Sequence, residues 1–389
     1  MELSDYTDKF SDECGVFGVH DHQDAASLCI LGLHSLQHRG QESFGVVSYC
    51  DDGFCVQKYQ GHVFSVSHQK MNGRVAIGHV RYSTSGGLTG IQPFCGKTKF
   101  GEVAVAHNGN LINTAELQEI LIKRGCILQS NIDTETILHL ISISNSDDFL
   151  AALTEALQKI KGAYSLIIIN NDVIYGVRDP HGIRPLSIGL LGDNSYVLSS
   201  ETCAFDAINA KLIRDVQPGE LVRISKNGVS SSFPMEQKKS SFCIFEYIYF
   251  ARPDSFIDGR SVYYVRKNIG ATLANEHPVD CLNPVVVPVP DSGMPAAIGY
   301  AQESGLQMEL GIIRSHYVGR TFIQPTDATR KLGVQLKHNA NSAVVKNRDI
   351  ILIDDSIVRG TTLKNIVALI KNAGAKSVHI RISSPPTVG

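Results

Sequence analysis

The stretch ILIDDSIVRGTTLKNIV, residues 351–367, constrains the fold more than any other part of the sequence. A nearly continuous apolar run ends in two aspartates, and a polar loop and a helical pattern follow. Similar apolar runs occur at NPVVVPVP, before the helical pattern MPAAIGYAQESG, and at SVHIRIS. Strands that are apolar throughout and joined by helices are typical of a parallel sheet with helical crossovers, an α/β architecture.

The loop after this strand has the composition of an anion site. Asp354 and Asp355 stand at the carboxyl end of the predicted strand, where ligands bind in open α/β sheets. Gly360 allows close backbone approach, and the next helix offers free N–H groups to an anion. The loop is not a Walker loop, because Gly360 is followed by threonine rather than by Lys-Ser/Thr. The alternative is a solvated acidic turn with a helix cap. The candidate side chains of the loop are Ser356, Arg359, Thr361 and Thr362.

Two further segments of the second half suit a polyanion. Asp291, Ser292 and Gly293 form a predicted strand-to-helix turn that fits a second anion such as pyrophosphate. A polar loop that could close as a lid contains Arg320, Thr321, Lys331 and Lys337.

The first half has a different pattern, with clusters of short strands and a few helices between them, which favours an α+β layered domain. Residues 226–241 are polar with Gly and Pro and indicate the passage between domains. We therefore expect a leader at 1–13, an α+β domain at 14–236 and an α/β domain at 237–389. The last predicted strand runs into SPPTVG with no closing element, so we expect the C-terminal part of the second domain to be missing.

Charge and cysteine content exclude several classes of protein. The net charge of −2 over 389 residues gives no basic field for nucleic acid, and no apolar run is long enough for a membrane span. The nine cysteines contain no C-x-x-C pair, which favours a reducing compartment, the cytoplasm. The leader is rich in acidic residues and is neither a secretory signal nor a transit peptide.

Several polar residues of the first half have ordinary structural explanations when each is taken alone. Cys14 could be a structural cysteine and Arg81 a surface charge. Asn108-Gly109 has the composition of a hairpin turn, and Asp133 of a helix N-cap.

Taken together, these segments carry a resemblance. The order C-G-V-F-G, L-Q-H-R-G-Q-E, G-H-V-R-Y-S-T, H-N-G-N and D-T-E resembles class II glutamine amidotransferases, whose N-terminal-nucleophile (αββα) fold begins at a catalytic cysteine. DDSIVRGTT resembles the phosphoribosyl pyrophosphate (PRPP) signature of type I phosphoribosyltransferases. The whole of Cys14 to Pro386 is similar to the glutamine PRPP amidotransferase family. That resemblance implies a pentosyl transferase that makes 5-phosphoribosylamine, glutamate and pyrophosphate from PRPP, glutamine and water, the first step of purine synthesis.

The resemblance also implies residue roles. Cys14 is the nucleophile, Asn108 and Gly109 form the oxyanion hole, and Asp133 takes the glutamine ammonium. Around the glutamine carboxylate would stand Arg39, Gly40, Arg81 and Thr84. Asp354 and Asp355 would meet the ribose hydroxyls and Mg²⁺, with Ser292 as a weaker magnesium neighbour. The other PRPP contacts implied are Asp291, Gly293, Arg320, Thr321, Lys337, Ser356, Arg359, Gly360, Thr361 and Thr362. Ammonia would pass inside the protein to the ribose C1.

The chemistry of the Cys14 thiol predicts that the leader is removed. Attack on an amide needs a base for the thiol proton, and a free α-amino group, with a pKa of about 7.7–8.0, can serve at neutral pH. While Glu13 is attached, the nitrogen of Cys14 is an amide and cannot act as a base. We therefore expect the thirteen-residue leader to be removed.

Two departures from the family pattern and two rival functions remain. Cys243 matches the first of four cysteine ligands of a [4Fe–4S] cluster, and the other three would lie beyond Gly389. Gly293 stands where many relatives carry a serine. The rivals are another class II amidotransferase, such as glucosamine-6-phosphate synthase, which lacks DDSIVRGTT, and a non-catalytic PRPP-sensing regulator, which leaves Cys14 unexplained. The resemblance also implies purine nucleotide inhibitors and a homo-oligomer.

Overall fold

The structure of the protein is a computed structural model, and it describes residues 14–66, 68–82, 90–315, 338–357 and 360–386. The chain divides into two compact units. The first runs to Cys243 and also takes in Ser255–Gly259, and the second comprises Ile244–Asp254 and the chain from Arg260 onward. The expected boundary at 236/237 lies a few residues before this division and stays a prediction.

The first unit contains two antiparallel sheets. The seven-stranded sheet has the order β11-β9-β10-β1-β4-β2-β3, and the six-stranded sheet has the order β13-β12-β8-β7-β6-β5. The strands are β1 Gly15–His20, β2 Ser43–Cys50, β3 Gly53–Gln60, β4 Val75–Arg81, β5 Phe94–Thr98, β6 Gly101–Leu111, β7 Gly162–Asn170, β8 Val173–Arg178, β9 Ser187–Leu191, β10 Ser195–Ser199, β11 Lys211–Asp215, β12 Leu221–Ser225 and β13 Gly228–Ser232.

Helices cover the outer faces of both sheets and produce four layers. Helices α1 (Ala25–Ser35) and α5 (Cys203–Asp206) pack on the seven-stranded sheet. Helices α2 (Thr114–Lys123), α3 (Asp133–Ser142) and α4 (Phe149–Lys159) pack on the six-stranded sheet. A third core lies between the sheets. The αββα fold expected for the first domain is therefore confirmed.

This layering explains why β1 is apolar on both faces. Successive side chains of a strand point to opposite faces. Phe17 and Val19 accordingly join the core beneath α1, whereas Val16 joins the core between the sheets. The strand is buried along its whole length.

The second unit is built on a parallel sheet with the order β16-β19-β20. Its elements are β14 Phe256–Ile257 (counted with the first unit), β15 Arg260–Ser261, α6 Val262–Glu276, β16 Pro284–Pro288, α7 Met294–Ser304, β17 Ile312–Arg314, β18 His338–Ala340, α8 Ser342–Val345, β19 Asp349–Asp354, α9 Thr361–Asn372 and β20 Ser377–Ile382. A π-helical turn at Glu246–Phe250 precedes them. Ile350 and Leu352 of β19 pack beneath α9, and Ile351 and Ile353 pack beneath α6 and α7. Burial on both faces is the reason that this strand is apolar throughout, and the predicted α/β parallel sheet is confirmed.

Within the described parts of the chain, the structure contains no helix whose length and hydropathy would suit a membrane span.

Candidate active site

The thiol of Cys14 lies at the end of the seven-stranded sheet. Cys14 directly precedes β1 and is half-buried, with its Sγ 4.0 Å from the carbonyl oxygen of Tyr82. Gly15 stands opposite Val80 in the antiparallel pairing of β1 with β4. Cys14 therefore lies next to Arg81, the last residue of β4.

Arg39 supports the backbone of Cys14. The Arg39 Nε donates to the Cys14 carbonyl oxygen over 3.0 Å, and Nη1 donates to Glu201 Oε1 over 2.7 Å. The Arg39 guanidinium is completely buried. The predicted contact of Arg39 with a glutamine carboxylate stays a prediction. The backbone of Gly40 lies so close to that of Arg81 that only glycine fits, since a Cβ there would lie 2.5 Å from the Arg81 backbone nitrogen.

Arg81 is the second cation at this end of the sheet. Its side chain passes over Gly90, where a Cβ would lie only 2.2 Å from Arg81 Nη1. Arg81 is only 8% exposed, so it is a buried residue and not the surface charge that its residue type alone would suggest. Thr84, predicted for the same carboxylate, lies outside the described residues.

Asn108 and Gly109 lie inside β6, an eleven-residue strand of the six-stranded sheet, opposite Ser165 and Tyr164 of β7. The predicted tight turn at these two residues is therefore wrong. Gly109 has a φ of +141°, and a Cβ there would lie 2.0 Å from the Ala163 carbonyl oxygen, so that only glycine fits.

The Asn108 side chain is fully buried, and neither atom of its amide has a hydrogen-bond partner among the described residues. A buried amide without partners costs about 1–3 kcal/mol, and native proteins contain few of them. This amide is therefore available to a ligand.

Asp133 is the first residue of α3 and not its N-cap, which is Ile132. Its carboxylate lies 3.2 Å from His107 Nδ1 and accepts the Leu111 N–H over 3.2 Å. Burial alone would raise the pKa of Asp133, but His107 and these hydrogen bonds outweigh burial and lower it. The carboxylate is therefore a stable anion.

The second site lies at the carboxyl end of β19. Asp354 ends the strand and accepts the Asp355 N–H over 2.9 Å, and Ser356 Oγ donates to Asp355 over 2.5 Å. Burial and the neighbouring Asp355 raise the pKa of Asp354 to about 7. Burial also raises the pKa of Asp355, against the hydrogen bonds of Ser292 and Ser356.

Two turns flank these acids. Gly360, at φ +68°, caps α9, which begins at Thr361 and Thr362. Gly293 caps α7, and a Cβ there would lie 2.5 Å from the Ile353 carbonyl oxygen, so this backbone requires a glycine. Asp291 pairs with Arg314. The predicted PRPP residues Arg320, Thr321, Lys337 and Arg359 lie outside the described residues.

Two domain families match the two halves of this chain. The family described as a glutamine amidotransferase domain matches residues 79–207, and the phosphoribosyl transferase domain family matches residues 265–383. An amidophosphoribosyltransferase of Rhizobium etli is 47% identical over 97% of this chain and 78% of its own. That of Bacillus subtilis is 45% identical over 97% of this chain and 80% of its own.

The chain belongs to the amidophosphoribosyltransferase family. A solved structure titled as the allosteric regulatory enzyme of purine biosynthesis matches with a TM-score of 0.92 and 45% identity, over 97% of this chain and 82% of that one. The Bacillus subtilis glutamine PRPP amidotransferase, complexed with ADP and GMP, matches with a TM-score of 0.91 over 96% and 82%. The prediction of a glutamine-dependent PRPP amidotransferase of purine synthesis is confirmed.

The sequence resemblance implies two metal-containing groups, Mg²⁺ and a [4Fe–4S] cluster, and the described residues suit the first better than the second. Asp354, Asp355 and their serine neighbours offer the hard oxygen ligands that suit Mg²⁺. Among the described residues no three His, Cys, Asp or Glu side chains form a metal-binding group. Cys243 is half-buried, and the described cysteines do not supply the ligand set of a [4Fe–4S] cluster around it.

Sequence reasoning missed three groups of the first site. His79 lies two residues before Arg81, and burial, together with Arg81 and His107, lowers its pKa to about 3, so the ring is neutral. His107 orients Asp133. Glu201 is distant in sequence and carried no motif. The two histidines were visible in G-H-V-R and H-N-G-N, but their partners were not.

Proposed function

We propose that Cys14 attacks the side-chain amide of glutamine and that the ammonia released is used at the Asp354–Asp355 site to displace pyrophosphate from PRPP. The observation that carries this proposal is the buried Asn108 amide without a partner among the described residues. It lies on β6, which packs against β1, the strand that begins next to Cys14. An unused donor near a thiol is what an oxyanion requires.

The hydrolytic half of the reaction uses residues at one end of the two sheets. The Cys14 sulfur attacks the amide carbon, and its proton passes to the α-amino group of Cys14. Asn108 Nδ2 and the Gly109 N–H donate to the oxyanion that forms. The α-ammonium group passes that proton to the amide nitrogen, which leaves as ammonia, and water then releases glutamate from the thioester and restores the thiol. This scheme requires removal of residues 1–13, so N-terminal sequencing of the active protein should read Cys-Gly-Val-Phe.

Selection of an amino acid follows from the two charges beside this thiol. The ionised Asp133 suits an ammonium group, and the guanidinium of Arg81 suits a carboxylate. Opposite charges in fixed positions distinguish the zwitterionic end of glutamine from a simple amide. Arg39, Gly40 and Thr84 complete the predicted carboxylate pocket.

The second half-reaction uses the carboxylates of β19. Asp354 and Asp355 would bind the ribose hydroxyls and hold Mg²⁺, which when bound neutralises charge on the pyrophosphate. The N-terminus of α9, with Gly360, Thr361 and Thr362, would take the 5′-phosphate. Ser292, at the turn before α7, would face the pyrophosphate. Burial and the adjacent Asp355 raise the pKa of Asp354, which supports a site where a bound cation would stabilise the ionised pair.

Purine nucleotides are proposed as inhibitors, because the solved Bacillus subtilis relative binds ADP and GMP. A homo-oligomer, a cytoplasmic location and an iron–sulfur cluster stay predictions. The described residues do not support the cluster by themselves.

Pyrophosphate release tests the proposal directly. The processed protein should release pyrophosphate from PRPP with either glutamine or ammonium as nitrogen donor, and should form glutamate only from glutamine. A protein that binds PRPP but releases no pyrophosphate with either donor would be a PRPP-sensing regulator, and the proposal would be wrong.

A further inference from the structure

Glu201 is a carboxylate without any assigned role. Its side chain is completely buried, and both of its oxygens have partners. Oε1 lies 2.7 Å from His38 Nε2 and 2.7 Å from Arg39 Nη1. Oε2 accepts from Ser255 Oγ over 2.8 Å and lies 3.6 Å from Cys203 Sγ. Burial opposes ionisation, but His38 and Arg39 outweigh it and lower the pKa of Glu201. The group is therefore a buried anion.

A single residue, Arg39, connects the Glu201 carboxylate to the nucleophile Cys14. Glu201 holds one nitrogen of the Arg39 guanidinium, and the Nε of the same planar group donates to the carbonyl oxygen of Cys14. The preceding residue, Ser200, supports the start of the same strand, because its N–H and Oγ bond the backbone of Val16. Ser200 thus holds the backbone of Val16 directly, and Glu201 holds that of Cys14 through Arg39.

We propose that Glu201 is a positioning residue for Cys14, acting through Arg39; the inference rests on the proposed function of Cys14. After removal of the leader, Cys14 would be the chain terminus, with no residue before it to fix its backbone. The ladder between β1 and β4 begins only at Gly15. A fixed carbonyl at residue 14 sets the direction of both the thiol and the α-amino group. The planar guanidinium can hold that carbonyl only if its own orientation is fixed, and Glu201 fixes it.

The expected effect is larger on turnover than on substrate binding. Glu201 is separated from the predicted glutamine carboxylate by Arg39, so its loss should lower kcat more than it raises the KM for glutamine. A displacement of about 1 Å of a reacting group can cost on the order of 10²-fold in rate. Glu201→Gln keeps the shape of the side chain but removes the charge and one acceptor oxygen. We expect glutamine-dependent kcat to fall about 10- to 100-fold, as for other residues that orient a reacting group.

Ammonia-dependent phosphoribosylamine formation separates this inference from a general loss of structure. It uses the second site, so Glu201→Gln should leave it at the wild-type rate. Glu220→Gln is the matched control, since Glu220 is also buried, pairs with Arg214 over 2.7 Å and accepts from Ser231 Oγ over 2.5 Å. Its partners Arg214 and Ser231 lie on β11 and β13, which are edge strands of the two sheets. We expect it to lower the melting temperature while leaving kcat with glutamine unchanged.

The outcomes are distinguishable. If Glu201→Gln keeps the wild-type kcat, or if Glu220→Gln lowers kcat equally, the positioning role is overturned. If Glu201→Gln does not fold, Ser255→Ala decides, because it removes one donor to Oε2. A smaller fall in kcat that exceeds any rise in KM supports the inference, and an unchanged kcat overturns it. A wild-type protein with no glutamine-dependent activity would instead contradict the proposed function.

Discussion

The two candidate sites solve opposite electrostatic problems. At the first site each buried acid has a cationic or hydrogen-bonding partner within the protein, as Glu201 has Arg39 and Asp133 has His107. At the second site Asp354 and Asp355 are adjacent, and burial raises the pKa of both. The first site is neutralised before substrate arrives. Among the described residues, the second site holds two adjacent carboxylates whose negative charge a ligand or a metal ion would compensate.

The difference follows from the folds. The first site lies where β1 begins beside the end of β4 in one sheet, with β6 of the facing sheet packed against β1, so contacts from many parts of the chain converge there. The second lies at the carboxyl end of a parallel strand and in the turns that follow it, where ligands of open α/β sheets bind. Its carboxylates are neighbours in sequence, and their mutual repulsion is built in.

Removal of the Cys14 thiol should produce the largest effect on the first site. Cys14→Ser should reduce glutamine-dependent turnover by on the order of 10⁶-fold, the usual cost of losing a catalytic nucleophile. Ammonia-dependent synthesis should persist, because it needs only the second site. Cys126→Ser is the control, since Cys126 is likewise a half-buried free thiol and should retain both activities. Equal loss of both activities in Cys14→Ser would show that the two sites are not separable.

The acids of the second site give the reciprocal test. Asp354→Asn combined with Asp355→Asn removes two hydrogen-bonding anions worth about 1.5–3 kcal/mol each, so PRPP turnover should fall roughly 10²- to 10⁴-fold. Alkylation of Cys14 by an electrophilic glutamine analogue should continue. Asp349→Asn is the control, because Asp349 begins the same strand and bonds Ser377 Oγ over 2.7 Å. Wild-type PRPP turnover in the double variant would remove these acids from the site.

The buried amide of the first site gives a smaller effect with an unusual signature. Asn108→Ala should lower kcat with glutamine about 10²- to 10³-fold, the cost of one oxyanion donor, with little change in KM. Since the amide makes no hydrogen bond within the described structure, the free energy of unfolding should not fall with the loss of one. Asn170→Ala provides the contrast, because Asn170 Nδ2 donates to the carbonyl of Phe100 over 2.9 Å and should cost about 1 kcal/mol. A drop in stability without a drop in kcat would make Asn108 structural.

Sequence patterns predicted elements whose cause is local. The apolar runs around Val286 and Leu352 became buried parallel strands, because burial on both faces leaves a signal in the run itself. The motif order of the first half predicted the layered fold through its resemblance. The prediction of a turn at Asn108-Gly109 was wrong because this dipeptide, which is typical of hairpins, lies here inside a strand, with a positive φ at Gly109.

What sequence could not supply was the pairing of distant residues. Glu201 and Arg39 are separated by 162 positions and meet only because β10 and β1 are neighbours in the sheet. Nothing local marks Glu201 as the partner of a guanidinium. Likewise, the sequence placed Asp354 and Asp355 together but could not show that burial raises the pKa of both.

The smallest expected effect is the contribution of Asp354 to the pH dependence of stability. The pKa of Asp354 rises from 3.8 to about 7 on folding, so between these values the native state binds a proton that the unfolded state has lost. The free energy of unfolding therefore falls as pH rises from about 4 to 7, by at most about 1.4 kcal/mol per pH unit. Melting temperatures without Mg²⁺ should decline across this window, and Mg²⁺ should reverse part of the decline by replacing the proton. Asp354→Asn should flatten the profile, whereas Asp349→Asn should keep the wild-type slope, because the pKa of Asp349 is lowered by Ser377 and its titration lies below the window. If Asp354→Asn and the wild type decline in parallel, the negative charge at the end of β19 is not what distinguishes the two sites.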